Sequence, residues 1–219
     1  MSNDAGRPSP EPLVSPLVRS DPDAAWTVTR AGTPVPDGYP EMVDQLRLLL
    51  DRIAAAVPPP DLVRETTKLV TELNGRLQTH EVLEHDQVAG QLINLPGRAQ
   101  LLTPAYTVVE LDDVRATGRV RFGRHHLGSN GAVHGGAIPL LFDDLLGRMA
   151  LTAGRPKSRT AYLHVEYRSI TPIDADLWIE AWFEREEGRK RFLRGVLKHN
   201  ERVCAEANGL FVALRPGQP

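Results

Sequence analysis

Residues 134–147, HGGAIPLLFDDLLG, place a histidine and two glycines ahead of an apolar run that carries two adjacent acids, Asp143 and Asp144. Gly131, Gly135 and Gly136 permit a sharp turn and let backbone approach a ligand with no side chain between them. The first N–H groups of a helix lack internal partners and carry partial positive charge. Pro139 suits the first helical turn, where its missing N–H costs little. A glycine-flanked helix start is therefore fit to hold negative charge developing on a carbonyl oxygen. The same glycines would also allow close packing of helix on sheet, and the acids weigh against that simpler reading. An ionised carboxylate in an apolar helix is costly unless it is paired or functional. Mid-helix positions disfavour capping, so one acid is expected to face solvent or another subunit and the other a cleft.

Gly136 and Asp143 are seven residues apart, about 700° of helical rotation, and share a face. At about 1.5 Å of rise per residue they stand about 10 Å apart along the axis. A reacting carbon must sit about 3 Å from both the oxyanion donor and the attacking group. One straight helix does not meet that condition. An antiparallel copy across a twofold axis does, by setting Asp143 of one chain near Gly136 of the other. The spacing thus predicts a homodimer, or a dimer of dimers, with shared active sites.

The elements that must position these residues follow from periodicity. Prolines 8, 10, 12, 16, 22, 34, 36 and 40 make residues 1–40 an extended or disordered arm, with AWTVTR (25–30) its one strand candidate. Residues 41–80 read as a helical hairpin. Met42, Leu46, Leu49, Leu50, Ile53 and Val57 recur at helical spacing up to the Pro58–Pro60 stop, and Asp61 is the expected N-cap of a second helix. Its apolar positions, Leu62, Leu69, Val70, Leu73 and Leu77, need a surface to bury them.

From residue 97 to 215 the period changes to two. YTVVEL and VRATGRVRF flank a turn at Asp112–Asp113, and four further strands follow the apolar helix, with turns at Glu187–Gly188 and Asn200–Glu201. The helix itself, apolar all round, should be buried. A hairpin, one buried helix and four strands predict an α+β hotdog fold, an antiparallel sheet wrapped around a central helix, with an N-terminal helical extension.

Composition narrows the function classes. Net charge is −2 with both signs interspersed, so there is no nucleic-acid footprint, and no apolar run is long enough for a membrane span. The N-terminal stretch lacks the basic-then-apolar pattern of a signal peptide, and Cys204 is the single cysteine, so the default compartment is cytoplasmic.

The stretch GAVHGGAIPLLFDDLLG resembles the His-Gly-Gly-x6-Asp-x3-Gly motif of hotdog-fold acyl-CoA thioesterases of the PaaI-like family. TAYLHVEYRSITPI is similar to the strand that follows it there, above all in THEM-type members. The resemblance covers residues 97–214 and leaves out 1–80. It implies an enzyme of fatty acid metabolism that hydrolyses an acyl-CoA thioester to free acid and CoA, with no cofactor and no metal. It implies that Asp143 activates water or attacks the carbonyl, and that the Gly136 N–H polarises the thioester oxygen. His134 would shape the loop, Thr160 would position the attacking water, and Gly135 and Asn130 would contact substrate. Asp144 departs from the pattern, which favours a small or apolar residue there.

Other constellations are weaker. Ser129, His134 and Asp143 lack the Gly-x-Ser-x-Gly elbow of a serine nucleophile. The histidines of HEVLEH (80–85) are five apart, not on one helix face as a zinc pair would be. His125–His126 reads as a polar strand end, and Cys204 as structural. Arginines 119, 121 and 124 form one basic cluster and Arg189, Lys190, Arg191 and Arg194 another; either suits coenzyme A phosphates, although charged strand edges are the simpler reading. Two functions compete with hydrolysis: a non-catalytic acyl-thioester-binding or regulatory protein, and a hotdog hydratase or dehydratase.

Overall fold

A computed structural model describes residues 35–92 and 95–218; the strand candidate at 25–30 lies outside them. Among the described residues there are eight strands: β1 (Tyr106–Leu111), β2 (Arg115–Val120), β3 (Leu127–Ser129), β4 (Ala132–Val133), β5 (Ser158–Tyr167), β6 (Leu177–Glu187), β7 (Lys190–His199) and β8 (Arg202–Ala213). Six of them make one antiparallel sheet in the order β1-β2-β6-β7-β8-β5. The helices are α1 (Tyr39–Ala55), α2 (Pro60–Gln78) and α3 (Ala137–Met149). Helix α3 packs across β5, β6, β7 and β8, which is the hotdog arrangement expected from the strand–helix order.

The alternation explains the core. Leu177, Ile179 and Ala181 of β6 and Leu193 and Leu197 of β7 are all at most 2% exposed, on the face that meets α3. The helix contributes Leu141, Phe142, Leu145, Leu146 and Met149, each buried. Each buried Leu, Ile, Phe or Met side chain among these stabilises the fold by about 1.5–3 kcal/mol. The hairpin turns fall where Gly188 (φ 59°) and Asn200 (φ 53°) supply left-handed backbone. A small hairpin, β3–β4, was not expected from the sequence. Asn130 (φ 50°) and Gly131 (φ 74°) form its turn, an Asn-Gly pair of the kind that favours two-residue hairpins.

Two expectations need correction. Helix α3 is not buried all round, because Gly136, Leu140 and Asp143 form an open stripe at spacings of four and three along an otherwise covered helix. Asp61 is not the N-cap of α2: Pro59 holds that position and Pro60 begins the helix, its fixed φ being suited to the first helical residue. Asp61 sits instead in the first turn, where it pairs with Arg64. The two extension helices also differ from each other. Helix α1 buries Val43 and Arg47 and packs on the turn at Arg124–His126, whereas α2 buries no residue.

Candidate active site

The start of α3 is a bare turn. His134, Gly135 and Gly136 are all exposed, and Gly136 is the residue that caps the helix. The His134 N–H donates to the His126 carbonyl at 2.7 Å, which ties this turn to the residues before β3. The Gly136 N–H donates to His134 Nδ1 at 3.0 Å. That bond needs a lone pair on Nδ1, so a neutral His134 carries its proton on Nε2. The Tyr167 hydroxyl, at the end of β5, donates to the Gly135 carbonyl at 2.7 Å. The peptide between Gly135 and Gly136 is thus held at both ends, its oxygen by Tyr167 and its N–H by His134.

Two turns along the same stripe stands Asp143, exposed, with its Oδ1 accepting a 2.9 Å hydrogen bond from the Thr160 hydroxyl. Thr160 lies beside a bulge in β5 between Thr160 and Tyr162. A bulge re-aims side chains relative to the pleat. The structure therefore joins Asp143 with Thr160, and His134 with Gly135 and Gly136, but keeps the two groups at different levels of one helix. Asn130 belongs to neither group; it is the exposed turn residue of β3–β4.

Asp144 has a different environment. Its side chain is 4% exposed and lies between two guanidinium groups. Arg98 Nη2 is 2.6 Å from Oδ1, as an ion pair outside hydrogen-bonding angles, and Arg148 Nε is 3.2 Å from Oδ2. The Tyr106 hydroxyl donates to Oδ2 at 2.8 Å. Burial pushes the Tyr106 phenol well above its ordinary range; Arg148 opposes that shift and Asp144 adds to it. The acid that departs from the motif is thus a buried structural ion. Its i,i+4 partner Arg148 is visible in the sequence. Arg98 and Tyr106 are not, because they come from distant segments.

The other clusters lie differently from the simpler readings. The basic residues are on the inner strands β2 and β7 and the turns beside them rather than at sheet edges. His125–His126 forms a short turn under α1 rather than a strand end. Arg121 pairs with Asp176 and Arg124 with Asp174, while Arg119 lies over Trp178. Arg191 is buried and donates to the carbonyls of Ala150 and Pro156, Arg189 donates to Ala213, and Arg194 pairs with Glu184. His80 lies beyond the end of α2 and His85 in a separate short turn, so HEVLEH is not one helix face. Among the described residues no group of three or more His, Cys, Asp or Glu could hold a metal, and no helix is long and apolar enough to cross a membrane. Cys204 is buried.

Residues 130–207 match the thioesterase superfamily family model. The mouse acyl-coenzyme A thioesterase THEM4 is 31% identical over 99 residues, 44% of this chain and 42% of that protein. Its bovine counterpart is 26% identical over 160 residues, 72% of this chain and 66% of that one. The chain thus matches less than half the length of the mouse relative. A solved thioesterase superfamily protein superposes with a TM-score of 0.70 at 23% identity, covering 82% of this chain and 97% of its own, a likeness of fold.

Proposed function

We propose that this protein hydrolyses an acyl-CoA thioester, with Asp143 activating the water; the match of residues 130–207 to the thioesterase superfamily model supports the reaction class. The observation that carries the proposal is the exposure of Asp143 on a helix whose other apolar faces are covered, with Thr160 holding one of its oxygens. The free oxygen accepts a proton from water as the water oxygen attacks the thioester carbon. The oxyanion forms against the Gly136 N–H, where the thioester oxygen replaces His134 Nδ1 as acceptor. When the C–S bond breaks, the thiolate takes the proton from Asp143, leaving free acid and CoA. Gly135 lines the approach with no side chain in the way, and Tyr167 holds its carbonyl away from the substrate oxygen. Asn130, at the neighbouring hairpin tip, is assigned to outer substrate contact.

The two groups lie about 10 Å apart along α3, so the working site pairs Asp143 and Thr160 of one chain with the glycine turn of a second copy. The unit is a homodimer or a dimer of dimers. The test is release of free thiol from a panel of acyl-CoAs. Asp143→Ala should abolish release while leaving the fold intact, and retained activity would defeat the mechanism. Mixing inactive Asp143→Ala with inactive Gly136→Pro should recover activity in heterodimers; folded heterodimers without activity would refute the shared site.

A further inference from the structure

Helix α1 lies outside the matched thioesterase region, yet two of its side chains reach both segments that support the site. Arg47 and Asp51 are four residues apart on one face. The buried Arg47 guanidinium donates to the carbonyls of Pro96, at 2.8 Å, and Gln100, at 2.7 Å. Between them Gly97 (φ +59°) comes so near that a Cβ there would stand 2.8 Å from Arg47 Nη2. The next residue, Arg98, pairs with Asp144 on α3, beside Asp143.

Asp51 repeats the arrangement on the other segment. It accepts the His125 N–H at 3.0 Å and also pairs with the His125 ring. A Cβ on Gly123 would stand 2.6 Å from the Asp51 carboxyl carbon, so only a glycine leaves room for this carboxylate. Burial pushes the Asp51 carboxyl up, but its bonds to His125 outweigh that and hold it below its ordinary value. The next residue, His126, gives its carbonyl to the His134 N–H at 2.7 Å. Each segment thus bares its backbone where α1 touches it, and each passes the contact to a residue beside Gly136 or Asp143.

We propose that α1 is a brace for the active site, with Arg47 and Asp51 as positioning residues that set the His134–Gly136 turn and the Asp143 end of α3 in one frame. The proposal rests on the hydrolytic reading for its kinetic consequence and on the contacts alone for its structural one. In the full chain, Asp51→Ala should lower kcat about tenfold with KM within about twofold, since displacement of a catalytic turn by a fraction of an ångström costs rate more than binding. Amide exchange should quicken at residues 123–136 and not across the sheet, which separates a local role from general loss of stability. Asp51→Asn keeps an oxygen for the His125 N–H and should recover most of both effects; if the alanine variant does not fold, the smaller kcat loss of the asparagine variant decides. Arg52→Ala, on the exposed side of α1, should change neither quantity.

A folded Asp51→Ala enzyme with wild-type kcat and wild-type exchange at His134 would overturn the brace. If at the same time Asp143→Ala is inactive, the hydrolytic reading survives. If the wild type itself releases no thiol, the hydrolytic reading falls, and exchange at His134 alone decides the brace.

Discussion

Asp143 and Asp144 are neighbours in sequence, about 100° apart around α3, and they stand in opposite environments. Asp143 is exposed and accepts one hydrogen bond, from the Thr160 hydroxyl. Asp144 is buried between two arginines and a tyrosine. A carboxylate that does chemistry needs a free oxygen and access to water, whereas a carboxylate in the core needs every oxygen compensated. One residue of register on α3 therefore separates an ion free to accept a proton from one that holds the fold together. The contrast makes a double prediction: variants at 143 should move rate and not stability, whereas variants at 144 should move stability first, with rate following only through the lost contact to Arg98.

The largest effect is expected at Asp143. Asp143→Ala should lower kcat by about 10²–10⁴-fold, the usual contribution of a positioned general base. Its melting temperature should match wild type, because an exposed acid with one hydrogen bond adds little to stability. Asp144→Ala should instead cost about 3–5 kcal/mol in chemical denaturation, since it removes the buried anion that pairs with the buried Arg148 and the half-buried Arg98. Equal destabilisation by the two variants would erase the distinction.

How far this pair was legible follows from where its partners come from. The helix, its glycine start and the strands of residues 106–213 were readable because periodicities of 3.6 and 2 are local properties. The cost of burial says only that an acid in this helix is paired or functional. The expected division, one acid toward solvent or a subunit and the other toward a cleft, fails for Asp144, which is buried among Arg98, Arg148 and Tyr106. Which acid is paired depends on Arg98 and Tyr106, brought in by segments distant in sequence, and no local pattern reports them. The open stripe on α3 was hidden for a similar reason: Leu140 is as apolar as Leu141, and only the sheet decides which is covered. Tyr167 carries no local signal that sets it apart from the other residues of β5; only the fold brings its hydroxyl to the Gly135 carbonyl. The Asn130–Gly131 hairpin is a different case, because an Asn-Gly pair is itself a local turn signal.

Tyr106→Phe sharpens the buried side of the contrast. Loss of its bond to Asp144 should cost about 1.5–3 kcal/mol at neutral pH, as for hydrogen bonds to charged groups. The variant should also change the alkaline limb of stability. An unfolded tyrosine ionises near pH 10, while burial holds the native Tyr106 phenol neutral well above that. Above about pH 10 the unfolded chain releases a proton that the native state retains, so stability falls as pH rises. Tyr106→Phe should flatten that fall in denaturation measured from pH 8 upward; an unaltered slope would mean that the Tyr106 phenol is not buried in the native state.

The smallest effect tests the exposed side. Thr160→Val keeps the shape of the side chain and removes the donor to Asp143 Oδ1. The carboxylate then loses its fixed orientation but not its exposure, so kcat should fall about tenfold, about 1.4 kcal/mol of barrier, with no measurable change in denaturation midpoint. Thr160→Ser, which restores the donor, should recover most of the rate. If valine instead lowers stability and spares kcat, the Thr160–Asp143 bond is a structural contact of the kind Asp144 makes. The two acids would then differ in exposure but not in role.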